Sequence, residues 1–135
     1  ARFDLYDSYD PDIWEYHILA AWASDIDAFV VNWYGEDSYE QSPTKGLLDA
    51  AQSLYERFGH KGFDFRIIVS HNEEASGMLE DNLRFMADSI LTHPAYWGVR
   101  DGKHRPVYVF SPTRTLSPAD VASEAAIYLP EDVKL

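Results

Sequence analysis

The sequence contains no cysteine, so it can form no disulfide, no thiolate zinc site and no cysteine nucleophile. This absence leaves the compartment open, because exported proteins without cysteine are common. No apolar run approaches the ~20 residues that a membrane-spanning helix needs. Basic residues are scarce: Lys and Arg number 11 against 23 Asp and Glu, a formal net charge of −12. A chain this acidic repels a phosphate backbone and an anionic lipid surface, so neither nucleic acid nor membrane is an expected partner. Seven glycines never cluster after an apolar run, which removes a phosphate-cradling loop and with it a flavodoxin-like reading. No Gly-x-Ser-x-Gly elbow surrounds any serine. No His-x-x-x-His pair marks a zinc helix, and Asp4, Asp7, Asp10 and Asp12 lack the spacing and glycine of a calcium loop. No metal or cofactor is therefore expected.

What is present is a 135-residue chain of one domain's size, 46% hydrophobic, 25% charged and rich in aromatics at 15%. Asp10-Pro11-Asp12 reads as a helix start, with a capping side chain, a pre-set proline and an acid at the positive end of the dipole. Trp14, Ile18, Ala21 and Trp22 form its stripe, to about Ser24. Ala28-Phe29-Val30-Val31 is a continuous apolar run, the pattern of a strand covered on both faces. A polar and aromatic loop is predicted over 35–44, then a helix with stripe Leu47, Leu48, Ala51, Leu54, Tyr55 and Phe58, closed by Gly59. Phe63 to Ser70 predicts a second strand, Ser76 to Thr92 a third helix, and Pro106 to Phe110 a third strand. Ser117-Pro118 opens a fourth helix reaching Tyr128, and Glu131 to Leu135 reads as the approach to another strand.

Strand and helix alternate, so the fold class is α/β with a mainly parallel sheet. The predicted strands begin near 28, 63 and 106. Two architectures fit three such units: a small doubly wound domain, or part of a (β/α)8 barrel, for which ~250 residues is typical. Both place chemistry at the C-terminal ends of the strands.

Three segments lie there. Trp33 and Tyr34 leave the first strand ahead of Gly35 and an acidic, aromatic loop with Glu36, Asp37 and Tyr39. Aromatic faces of this kind stack on sugar C–H faces while carboxylates accept hydroxyl hydrogen bonds; equally, the two rings could close the core. The second strand ends in His71-Asn72-Glu73-Glu74. The period of two sets Glu73 beside His71 and Asn72 opposite, a pair able to move a proton or hold a hydroxyl. The alternative is a polar loop with Glu73 and Glu74 as the acidic first turn of a helix. The third segment, Ser111-Pro112-Thr113-Arg114, carries no such pattern.

Leu5-Tyr6-Asp7-Ser8-Tyr9-Asp10-Pro11, then His17, then Asp25-Ile26-Asp27-Ala28-Phe29-Val30-Val31-Asn32-Trp33-Tyr34-Gly35 resembles glycoside hydrolase family 99 and its relatives. Asp37-Ser38-Tyr39, Leu47 to Ala51, His71-x-Glu73, Thr92-His93-Pro94-Ala95-Tyr96 and Asp101-Gly102-Lys103 ahead of Pro106-Val107-Tyr108-Val109 follow in the same order. The resemblance implies a (β/α)8 barrel, of which this chain would supply roughly strands two to four. It also implies retaining endo-α-mannosidase or endo-α-mannanase activity, with no metal and with the substrate's own 2-hydroxyl forming an anhydro-sugar. By position, Trp33, His71 and Glu73 would belong to that family's substrate site; Trp33 and Tyr34 would then stack on the sugar, His71 would bind its hydroxyls and Glu73 would be catalytic.

The chain departs from that family in three respects. Only Ala1 to Asp4 stand where the first barrel strand belongs, Ser24-Asp25-Ile26-Asp27-Ala28 replaces a Gly-Ile-Asp-Gly run, and no Trp-Asn-Glu-Trp segment carries the principal carboxylates. Glycosidic cleavage ordinarily uses two acids roughly 5 to 10 Å apart, and only Glu73, with Glu74 or Asp37, is offered. The expected function is therefore that of a barrel segment contributing sugar-binding strand ends to hydrolysis of an α-linked glycan. The alternative is a non-catalytic carbohydrate-binding half-barrel that self-associates through its open edges. The N-terminus has no leader-like pattern, and its abrupt opening suggests a piece of a longer chain. A secreted or periplasmic setting is favoured because polymeric glycans are met there.

Overall fold

The computed structural model describes residues 10–33, 41–72, 79–100, 106–111, 117–131 and 133. Four helices, α1 (Pro11–Ala23), α2 (Gln41–Phe58), α3 (Leu79–Phe85) and α4 (Pro118–Tyr128), accompany three strands, β1 (Ala28–Trp33), β2 (Arg66–Asn72) and β3 (Val109–Ser111). The strands form one parallel sheet in the order β1-β2-β3, so each neighbouring pair is joined by a helical crossover. The α/β fold class expected from the apolar pattern is thus the one observed.

Local chemistry explains the element ends. The Asp10 carboxylate accepts the Asp12 backbone N–H at 2.9 Å, and Pro11 occupies the first turn of α1. Asp10 and Asp12 are thereby accounted for as helix-start residues. Helix α1 then closes in a Schellman arrangement: Ile26 N–H reaches Ala21 C=O and Asp25 N–H reaches Trp22 C=O. The left-handed position of that motif is held by Asp25, at φ 64°. Helix α4 repeats the cap, with Ser117 Oγ accepting from Asp120 N–H at 3.2 Å.

Several boundaries differ from the sequence expectation. Helix α2 begins at Gln41, inside the predicted loop, because Pro43 falls in its first turn, where a missing N–H costs nothing. Gly59 does not end the chain's helical path. A 3₁₀ turn over Gly59–Lys61 intervenes, and Gly62 takes the left-handed conformation at φ 94°. The second strand begins three residues later than predicted. Phe63 and Phe65 are buried ahead of it, with Phe65 set edge-on to Phe29 at 4.8 Å. The third helix is α3 followed by a π-helical turn over Met86–Ile90, marked by Leu91 N–H bonding Met86 C=O at 2.8 Å. Its predicted start falls outside the described residues, as does most of 131–135.

Helix α1 packs on α2, α2 on β1 and β2, and α3 on α4. Gly46 permits the first of these contacts, since a Cβ there would run into the Trp14 ring. Ile18, Leu48, Leu54, Phe65, Ile67, Val69, Leu83 and Met86 are fully buried between the layers. On the sheet, Phe29, Val31 and Trp33 share a face with Ile67, Val69 and His71, and this face is the more covered one. The opposite face is open at Val30, 64% exposed, at Asn32, and partly at Ile68 and Asn72. A doubly wound sheet would cover both faces. A barrel segment leaves bare the face that closure would turn inward.

Candidate functional site

The C-terminal ends of the three strands meet in an aromatic cluster. Trp33 and His71 are register partners with ring centroids 4.9 Å apart, and His71 in turn pairs with Phe110, edge-on at 5.5 Å. Phe85, on α3, stacks on Trp33 at 5.9 Å and 14°. The Tyr108 hydroxyl lies 2.8 Å from His71 Nδ1. Trp33 and His71 are each 0% exposed. Burial pushes the His71 pKa down to about 4, because a desolvated imidazolium is costly. His71 is therefore a neutral hydrogen-bonding group at neutral pH, and the hydroxyl it meets is that of Tyr108.

The open face of the same strand ends carries two amides that sequence reasoning did not single out as site residues. Asn72 Nδ2 donates to Ser70 C=O at 3.1 Å and approaches Asn32 Oδ1 at 3.5 Å. Their only sequence signal was the strand period of two, which set Asn72 opposite His71. In a closed barrel the open face points at the axis, where ligands bind, and amides there can donate to and accept from sugar hydroxyls.

Of the sequence-predicted site residues, the structure brings together Trp33 and His71. Tyr34 and Glu73 lie outside the described residues, as do Asp37 and Glu74. No carboxylate stands among the described residues at the strand ends. Among the described residues no three His, Asp or Glu side chains converge as a metal site would require, and no helix is long and apolar enough to cross a membrane. His93, part of the family-like Thr92-His93-Pro94 run, serves a local purpose. Its Nδ1 accepts from Ala95 N–H at 3.1 Å, which leaves Nε2 to donate to Asp49 Oδ1 at 2.9 Å.

Parallel strands joined by helical crossovers, with one face covered and one open, define the chain as an α/β segment of partial (β/α)8-barrel form. The comparisons agree. The chain is similar to the solved GH99 endo-alpha-mannosidase from Bacteroides thetaiotaomicron, both alone and in complex with BIS-TRIS-Propane. In each case the TM-score is 0.62 and the identity 21% over 85% of this chain. The matched region is 33% of the complexed chain and 31% of the other, so the chain spans about a third of the solved structures it matches. At this identity the likeness is one of fold. No protein-family model matches the sequence, and no curated protein does.

Proposed function

We propose that the chain is a glycoside-hydrolase-like barrel segment whose strand ends bind an α-linked, mannose-containing glycan. The observation carrying this reading is the pair of strand-end amides, Asn32 and Asn72, on the open sheet face of a barrel segment. The fold that holds them is shared with an enzyme described as an endo-alpha-mannosidase. In this proposal Tyr34 forms the aromatic wall of the sugar site, and the enclosed Trp33 and His71, the latter neutral and bonded to Tyr108, brace the strand ends behind Asn32 and Asn72, which meet the ring hydroxyls. Glu73 assists proton transfer. The principal carboxylates come from barrel units beyond this chain's matched third, since cleavage needs two acids across one bond.

The test is Glu73→Gln in the complete barrel. Turnover on an α-mannan oligosaccharide is expected to fall at least about a hundredfold, the scale of acid–base contributions. An unchanged rate would overturn the assignment of Glu73.

A second reading is favoured by one observation. Large apolar side chains stand exposed on α1 (Tyr16, 51%; Leu19, 41%), on α4 (Ile127, 69%) and on the open sheet face (Val30, 64%). A non-catalytic carbohydrate-binding module that self-associates would cover them. Glycan binding by the 135-residue chain without glycan release, together with a dimer in light scattering, would establish that module. Release of a shortened glycan would exclude it.

A further inference from the structure

Helix α1 is apolar on two sides. Ile18 and Ala21 are buried on one of them, and α1 packs on α2 with the Trp14 ring at Gly46. On the other, Tyr16 (51% exposed), Leu19 (41%), Ala20 and Ala23 stand in solvent at i, i+3, i+4 and i+7. That spacing is one stripe of a helix surface, and a helix apolar on both sides is built to be covered on both. In a (β/α)8 barrel each outer helix lies between two others; α2 takes one side of α1, and the exposed stripe is the unfilled side. β1, into which α1 leads, is an edge strand, so the bare helix face and the bare strand edge belong to the same end of the segment.

The shape of the stripe selects a helix as its occupant. Tyr16–Ala20 and Leu19–Ala23 are two i, i+4 rows, each running from a large side chain to a small one, the relief into which the ridges of another helix fit. An extended segment would instead pair with the backbone of the β1 edge. Charge selects the occupant's rim. Residues 10–33 hold the acids Asp10, Asp12, Glu15, Asp25 and Asp27 and no Lys or Arg. Arg57, which reaches α1 from α2, is spent on Glu15. Asp12 is exposed at one end of the stripe, and Asp25 and Asp27 are exposed beyond the other. A second copy docked through this face would set acids against its own acids, and residues 117–131, which also hold no Lys or Arg, would offer it nothing better.

We infer that the outer face of α1 docks an amphipathic helix from outside these 135 residues, apolar along one side and rimmed by Lys or Arg. Tyr16 and Leu19 pack into its apolar side, while Asp12 at one end and Asp25 and Asp27 at the other meet the basic rim. The inference rests on exposure and charge and stands independently of the glycan reading.

The probe is a helical peptide of ~16 residues, long enough to span the stripe, with Leu and Ala along one side and Lys on the rest. Its comparators are a scramble of the same composition, which has no stripe, and the same peptide with Glu for every Lys. Each is titrated into the 135-residue chain by calorimetry. The Lys peptide is expected to bind with a dissociation constant of roughly 10–100 μM, the scale of a small interface. The scramble should bind at least about fivefold more weakly, because charge alone gives no register, and the Glu peptide should not bind. Raising salt from ~50 to ~300 mM should weaken the Lys peptide severalfold. Combining Tyr16→Ser with Leu19→Ser should reduce it to the level of the scramble; both side chains are about half exposed, and an unchanged melting curve confirms the fold. Asp25→Asn with Asp27→Asn should weaken it about two- to fourfold and flatten the salt dependence. Ile127→Ser, on α4, should leave it unchanged. The proposal is overturned by equal binding of the scramble or of the Glu peptide, by unchanged affinity in the Tyr16→Ser, Leu19→Ser variant, or by loss of affinity in Ile127→Ser. A parent chain that is dimeric in light scattering and becomes monomeric in the Tyr16→Ser, Leu19→Ser variant would make a second copy the occupant, and would overturn it as well.

Discussion

Replacing Tyr96 by Phe is the sharpest probe of how this sheet is held. β2 is longer than β3, so on the edge away from β1 only its upper half finds a strand partner, at Ser70, His71 and Asn72. Along its lower half the chain at 95–97 substitutes: Ile67 N–H bonds Ala95 C=O at 3.0 Å and Trp97 N–H bonds Ile67 C=O at 3.0 Å. Tyr96 bridges the two halves. Its hydroxyl donates to Val107 C=O at 2.6 Å and accepts Val69 N–H at 3.3 Å. Phenylalanine keeps the fully buried ring and removes only the oxygen, so no cavity of consequence opens. Val69 is 0% exposed, and its N–H is left dry and unpaired, whereas the half-buried Val107 carbonyl can recruit water. An unsatisfied buried group costs about 1–3 kcal/mol and a lost hydrogen bond about 1, so the expected loss is about 2–3 kcal/mol. Unfolding entropy of ~2.1 cal/mol/K per residue converts this to a melting temperature lower by roughly 7–11 °C for a chain of 135 residues. Urea unfolding should show the same loss with an unchanged m-value. Burial pushes the Tyr96 pKa up to about 12, from an ordinary 10.0. Its contribution is therefore complete below pH 10 and is lost as pH rises towards 12, so the gap between the two proteins should narrow across that window. A melting temperature within 3 °C of the parent at neutral pH would refute the bridging role.

Asp25 holds a left-handed conformation that costs a side-chain-bearing residue roughly 1–2 kcal/mol. Asp25 is exposed, and Asp25→Gly should stabilise the chain by about 0.5–1 kcal/mol after the entropy of glycine is subtracted; a lower melting temperature would contradict this. His71 titrates at about 4 in the folded chain against an ordinary 6.5, so the unfolded chain binds the proton first as pH falls. Stability from the neutral imidazole is complete above pH 6.5 and declines as pH drops to 4, and the His71 ring resonances should show no titration above about pH 5. A midpoint near 6.5 would mean the ring is wetter than its enclosure indicates.

The elements were legible in the sequence because their signals are local. Asp10-Pro11 and Ser117-Pro118 announced α1 and α4 through caps that bond two or three residues away. The unbroken apolar run at Ala28 to Val31 announced a parallel strand. Trp33 and His71 were found because strand C-termini can be counted along the chain, and their adjacency followed from the order of parallel strands.

Signals that depend on distant partners were not legible. The early start of α2 and the π-helical turn depend on what packs against them, which a 3.6-residue period does not record. Likewise, the sequence made Trp33 and His71 candidates for contact with a ligand, but both are fully buried, against neighbours such as Phe85, Tyr108 and Phe110 that come from other parts of the chain. The choice between a doubly wound domain and a barrel segment was likewise tertiary. The periodicity of a parallel strand says that it is apolar, and only the placement of the helices on one side, leaving Val30 and Asn32 bare, says which face it turns inward. The sequence by itself determined which segments are strands and helices and where α1 and α4 begin, because capping and periodicity act within a few residues. The tertiary structure alone decided which side chains are dry and which amides line the open face, because burial is a property of neighbours that the chain brings together only on folding.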